Sequence, residues 1–273
     1  SAVTVDGSGN VIVVGVTQGL FPGETKPSAL DGFVAKFDVD GNQQWVTQFG
    51  PGVEVMVEDV AVAADGSIYL VGDTDAAMPG NTVVGDTDGF LARFDPDGEA
   101  EWYIHIGTEE YDYASAVTVD GDGNVVVIGG TEGEFATGTP EGRFDVFVHK
   151  LTPDGDEVWV QQFGSANSDN PVAVTVAGDG TVYVIGDTTG SMPGNTSSGE
   201  RDVFIAGLDG SNGTINVILQ YGESDGDDHA AGVRVATNGD VVIAGTTQGY
   251  REPGYVKGGQ ATNLDVFVVV FGP

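Results

Sequence analysis

The first residues on which chemistry could rest are acidic side chains that recur at a fixed step. Asp31, Asp88, Asp145 and Asp202 stand 57 residues apart each time, and Asp265 follows in a fifth, looser copy. Carboxylates in such a series have two uses. Gathered around one mouth, they bind cations. Placed at the close of a long loop, each accepts hydrogen bonds from loop amides and fixes that loop. The same residue in every copy favours the second use, because ligand sites seldom need identical residues throughout. A second acidic series lies between copies, in "EEYDYAS", "SANSDNP" and "ESDGDDHA", which set Asp112, Asp169 and Asp228 roughly in register. Calcium takes roughly six to eight oxygen ligands. Only the last segment, with Glu223, Asp225, Asp227 and Asp228, is dense enough to suggest a Ca²⁺ site. None of these segments fits the EF-hand spacing. "DGDGN" at Asp120–Asn124 lies between two expected strands and reads as a turn.

Two loop classes offer contact chemistry of another kind. "MPGNT" occurs at Met78–Thr82 and again at Met192–Thr196, in loops whose hydroxyls and amides suit sugar recognition. The plainer account is that Pro and Gly make turns there. The longer loop of the fifth copy carries Tyr250, Arg251, Tyr255 and Lys257, an aromatic and basic patch expected to touch a partner. Catalysis finds little support. His105, His149 and His229 sit at unrelated steps of the repeat. The chain has no Gly-x-Ser-x-Gly elbow, P-loop or His-Glu-x-x-His. The sequence points to a protein that is not an enzyme.

Composition narrows the partners. The chain has 42 acidic residues against 9 basic ones, a formal charge of -33. Phosphate backbones need Lys and Arg to displace counterions, so nucleic acid is excluded as a ligand. Anionic lipid is disfavoured for the same reason. Such self-repulsion weakens as ionic strength rises, which suits a saline or cation-rich exterior. There is no Cys, so neither a disulfide scaffold nor a thiol nucleophile is present. No apolar run is long enough for a membrane helix. No charged-then-apolar leader opens the chain, so an export signal is expected to lie outside it.

The elements that must position these residues follow from the repeat. Trp45, Trp102 and Trp159 keep the 57-residue step, with Asn216 in the fourth slot. Thr17, Thr74, Thr131 and Thr188 keep it too, each closing a Gly-x-Thr. Each unit predicts four strands. An alternating "AVTVD" strand comes first, then a Gly turn and a continuous apolar run such as "VYVIG". A Gly/Pro/Thr-rich loop leads to "DGFVAKF" and its copies, and an Asp-Gly hairpin turn leads to the Trp-bearing fourth strand. No segment keeps helical periodicity. The expected fold is an all-β, five-bladed β-propeller, with units at about 1–57, 58–114, 115–171, 172–230 and 231–273 in one domain. The last unit ends after its third strand, so that blade lacks a fourth strand within this chain. Phe33, Phe90, Phe147, Phe204 and Phe267 are expected between blades, as are Phe49, Ile106, Phe163 and Tyr221.

The sequence "AVTVDGDGNVVVIGGT", followed by a Thr/Gly/Pro loop and "DVFVHKLTPDGDEVWVQQFG", resembles the bacterial β-propeller repeat known as SBBP. The resemblance covers essentially the whole chain. It implies a secreted or cell-surface microbial protein, and no general catalytic motif. The resulting expectation is an extracellular structural or binding module for adhesion, a surface layer or a filament, with calcium-assisted assembly and neighbouring subunits, domains or glycans as partners. A lectin-like sugar binder is the first alternative. A propeller glycosidase, which needs two carboxylates about 5–10 Å apart at one mouth, is the second.

Overall fold

The computed structural model describes residues 1–23, 30–50, 54–135, 142–198, 200–222, 226–248 and 265–272. Among the described residues all nineteen elements are strands. The first blade holds β1 (Ala2–Val5), β2 (Val11–Thr17), β3 (Asp31–Phe37) and β4 (Gln43–Phe49). The second holds β5 (Val55–Val62), β6 (Ile68–Thr74), β7 (Asp88–Phe94) and β8 (Ala100–Ile106). The third holds β9 (Asp112–Val119), β10 (Val125–Thr131), β11 (Asp145–Leu151) and β12 (Glu157–Phe163). The fourth holds β13 (Asp169–Val176), β14 (Val182–Thr188), β15 (Asp202–Leu208) and β16 (Ile215–Tyr221). The fifth has only β17 (Asp228–Val235), β18 (Val241–Thr247) and β19 (Asp265–Phe271). Each sheet runs in sequence order, four of them four-stranded and the last three-stranded. These are the blades of a five-bladed β-propeller whose last blade is one strand short.

The hairpin turns explain why each pair of strands stays antiparallel. In Asp38–Asn42 the Asp38 carbonyl accepts from Gly41 N–H, and Gly41 takes a φ of 82°. The same glycine recurs at Gly98 and Gly155 with φ of 88°. That left-handed conformation is what a tight hairpin with a following bulge requires, and a side chain there would be strained.

The chain divides into two compact units, 1–133 with 150–157 and 134–149 with 158–273. Each has its own core, built on one rule. One face of a blade packs against the opposite face of the next. In the first unit Ile12, Val14 and Val34 of blade one meet Val60, Ile68, Leu70, Phe90 and Phe94 of blade two. In the second unit Ile185, Val203 and Ile205 of blade four meet Val233, Val241, Ile243 and Phe267 of blade five. Each such side chain contributes about 1.5–3 kcal/mol on burial. Trp45 covers Gly98 of the neighbouring blade's turn and donates to the Pro96 carbonyl at 3.2 Å. Trp159 covers Gly213 in the same way and donates to Gly210 at 3.1 Å. Tyr221 of β16 sets its ring 6.0 Å from that of Phe271 in β19 of the next blade, and stays 44% exposed.

Candidate functional site

The recurrent aspartates come first, because they build the frame. Asp88 is fully buried at the start of β7. Its carboxylate accepts from Val84 N–H at 2.8 Å and Gly85 N–H at 2.9 Å, and meets His105 Nδ1 at 2.9 Å. His105 Nε2 in turn accepts from Met78 N–H at 3.0 Å. With one nitrogen accepting from a backbone amide, the other must carry the proton and donate to Asp88. In blades one, three and four a glutamine fills this slot. Gln48 bridges Asp31 and Phe21 N–H, Gln162 bridges Asp145 and Phe135 N–H, and Gln220 bridges Asp202 and Met192 N–H. Each clamp ties the aspartate, the fourth strand and the loop before the third strand together. Asp265 lies opposite Thr247 in the β18–β19 register.

The glycine after the fourth strand makes room for this clamp. A β-carbon at Gly107 would lie 2.7 Å from Asp88 Oδ1 and 3.0 Å from Asp112 Oδ2. Gly164 is closed in likewise by Asp145 and Asp169, and Gly222 by Asp202. Asp112 and Asp169 are fully buried, and burial holds both carboxyls above the usual range despite hydrogen bonds from Thr108 and Ser165. The loop itself leaves the second strand through the Gly-x-Thr hydroxyl. Thr17, Thr131 and Thr188 each accept from the N–H two residues on, at 2.9–3.0 Å. The "MPGNT" turns are held as well. Met78 and Met192 are buried, and Asn81 and Asn195 donate to carbonyls of β8 and β16 at 2.8 and 3.0 Å.

A different cluster breaks the repeat. Asp73, the middle residue of a Gly-x-Thr at the end of β6, is half-buried. Burial pushes its carboxyl up to about 6, and Glu58 adds repulsion. Among the described residues no hydrogen bond or ion pair meets its side chain. Glu58 stands at the register shift between Val57 and Asp59 in β5, an extra residue that turns its side chain outward. Tyr111 and Tyr113 complete the cluster, with rings 6.5 Å apart and tilted by 54°. The charges of Asp73 and Glu132 bear on Tyr111, and that of Asp73 on Tyr113. Gly130 accommodates the Tyr113 ring, since any β-carbon there would strike it. Tyr111 remains 40% exposed. The arrangement is an aromatic surface edged by carboxylates. The tyrosines flank Asp112 in "EEYDYAS", a segment that acid counting alone does not single out.

The equivalent position in blade four is filled differently. Asp187 accepts from Ala230 N–H at 2.7 Å, meets His229 Nδ1 at 3.0 Å and lies 3.8 Å from Arg201. Burial raises its carboxyl too, and these partners oppose the rise.

Other expected sites fall elsewhere. Of the proposed calcium ligands, Glu223 and Asp225 lie outside the described residues, as do Tyr250, Arg251, Tyr255 and Lys257. Asp227 bridges Arg201 through its backbone, and Asp228 is buried at the start of β17. Among the described residues no group of three or more His, Cys, Asp or Glu could hold a metal ion. No described helix is long and apolar enough to cross a membrane.

The chain matches no family model. It is 24% identical over 255 residues to the "Regulatory protein FlaEY" of Caulobacter vibrioides, covering 82% of this chain and 26% of that protein. It thus spans about a quarter of the relative it matches. Among solved structures it is similar to a gluconolactonase of Xanthomonas campestris, at 16% identity and a TM-score of 0.46, over 89% of this chain and 68% of that one. It is similar to the Neurospora crassa Pan2 WD40 domain at 12% identity and a TM-score of 0.48, over 89% and 74%. It is similar to a xylan β-1,4-xylosidase of Bacillus halodurans at 13% identity and a TM-score of 0.43, over 98% and 52%. Two of these three are enzymes by name, which overturns the expectation that the chain is not an enzyme. At such identities the likeness is one of fold, a propeller-like all-β architecture.

Proposed function

We propose that this chain is a carbohydrate-recognising β-propeller of SBBP-like repeats that works outside the cell. Its sugar platform is formed by Tyr111, Tyr113 and Asp73, with Glu58 and Glu132 at the margin. The observation that carries this reading is the tilted tyrosine pair beside a half-buried carboxylate with spare acceptor capacity. An aromatic face takes the C–H side of a pyranose, and a carboxylate accepts its hydroxyls. The acidic body sets the class of glycan. A formal charge of -33 repels polyanions, so the ligand is a neutral or cationic saccharide.

A second reading has one observation in its favour. A carboxyl pushed up to about 6 beside a second acid is what general-acid cleavage of a glycosidic bond requires. Titration calorimetry with neutral oligosaccharides tests the first reading. Wild type should bind, and Tyr111→Ala should weaken binding by about tenfold or more. No binding to any neutral or cationic saccharide overturns it. A reducing-sugar assay tests the second: turnover lost in Asp73→Asn supports cleavage, and binding without turnover leaves recognition alone.

A further inference from the structure

The charges and apolar surface around Asp73 narrow the ligand further. Met56 lies directly across the β5–β6 pair from Asp73, so the two side chains share a face, and Met56 is 40% exposed. It adds apolar surface beside a carboxylate that Tyr111 and Tyr113 already border. Every charge in this cluster is negative. Glu58 bears on Asp73, Asp73 and Glu132 bear on Tyr111, and Asp73 bears on Tyr113. The described Lys and Arg side chains of the same unit are held by acids elsewhere. Lys36 meets Asp6 at 3.1 Å, Arg93 meets Glu101 at 2.9 Å and Lys150 meets Asp120 at 2.8 Å. Among the described residues, Asp73 and Glu58 have no such partner.

A sugar hydroxyl would give Asp73 a hydrogen bond but no opposite charge. An ammonium gives both, and a charge-assisted hydrogen bond is roughly twice as strong as a neutral one. The tyrosines suit the same group. Burial and the neighbouring carboxylates keep both phenols protonated, so their rings are neutral and their faces attract cations within about 6 Å of the centroid. Rings whose centroids are 6.5 Å apart can both lie within that reach of one cation. We propose that the platform selects an amino sugar, a saccharide whose protonated primary amine pairs with Asp73 beside Tyr111 and Tyr113. This inference rests on the carbohydrate reading and names the ligand class within it. A bound cation favours the ionised carboxyl, so below about pH 6 binding draws a proton off Asp73. A neutral sugar draws none.

Titration calorimetry on the whole chain tests the proposal with two probes of one backbone, β-1,4-linked glucosamine oligomers and their N-acetylated counterparts. At about pH 5.5 the free amines are protonated. The amine oligomer should bind about tenfold tighter than the acetylated one. Its heat should vary with the ionisation enthalpy of the buffer, as a released proton requires, and the heat of the acetylated oligomer should not. Asp73→Asn should erase both the preference and the proton release. Glu58→Gln, at an exposed position, should reduce the preference by about threefold. Circular dichroism checks that both variants are folded. Equal binding of the two oligomers without proton release overturns the inference and leaves the saccharide platform standing. A preference that survives Asp73→Asn arises from the acidic body at large and overturns it too. Binding of neither oligomer also overturns it, and the panel of neutral oligosaccharides then decides the platform itself.

Discussion

Asp73 and Asp187 occupy the same step of their repeats, the middle of Gly-x-Thr at the ends of β6 and β14, yet the chain treats them differently. Asp187 is enclosed by His229, Arg201 and the Ala230 amide. Asp73 faces Tyr111, Tyr113 and Glu58, none of which compensates its charge. The backbone frame beneath both is the same. The difference lies in what the following blade contributes, a histidine at position 229 and a tyrosine at position 113. A compensated acid between blades holds structure together. An uncompensated one is a cost that stability alone would remove, and that is why function is assigned to Asp73.

The shared frame gives the largest expected effect. Gly107→Ala in blade two and Gly222→Ala in blade four both drive a methyl group into the clamp carboxylate. Each should destabilise by about 3 kcal/mol, read by urea unfolding, because a well-packed site relaxes poorly. If the two costs differed widely, the frames would not be equivalent, and the contrast between Asp73 and Asp187 would lose its control. His229→Ala comes next. It strips a partner from a buried carboxylate and should cost about 2 kcal/mol. Replacing Tyr113, its counterpart, should cost packing without this electrostatic part.

Asp73→Asn should act in the opposite direction. The folded-state pKa of Asp73 is raised, so the protonated form is the one that folding favours. Its contribution is fully present below about pH 4 and is lost as pH rises through about 6. At pH 7.5 the asparagine variant should therefore be more stable than wild type, by about 1 kcal/mol after allowing for solvent screening. The advantage should vanish near pH 4. A melting series across that range reads it directly. An unchanged pH profile would place Asp73 in water and dissolve the contrast with Asp187.

The fold was legible because its signals repeat. Glycine turns, the Trp over the next turn's glycine and the alternating valines each recur at one step, so errors in a single copy are corrected by the others. The Gln or His before the closing glycine was equally regular, but its role as a bridge needs the loop amides, such as Met78 and Met192, which lie far off in sequence. The Asp73 cluster was hidden for the converse reason. Tyr111, Tyr113 and Asp73 are departures from the repeat, about forty residues apart, and only the packing of one blade on the next brings them together. The usable signal was the variable middle of Gly-x-Thr, which is Val16, Asp73, Gly130, Asp187 and Thr246 in turn.

The smallest effect sharpens the distinction between repeated and departing residues most. His105 is itself a departure, the one histidine in a slot that holds Gln48, Gln162 and Gln220 elsewhere. A departure alone could be taken for function. The geometry says otherwise, because His105 makes the same two contacts as the glutamines, one to the aspartate and one to the loop amide. His105→Gln should then change stability by no more than about 0.5 kcal/mol. His105→Leu, which leaves Asp88 and Met78 N–H without that partner, should cost about 2 kcal/mol. Neither should alter saccharide binding beyond the loss of folded protein. If His105→Gln abolished binding in a fully folded chain, the clamp would belong to the functional site, and the line drawn between frame and departure would have to move.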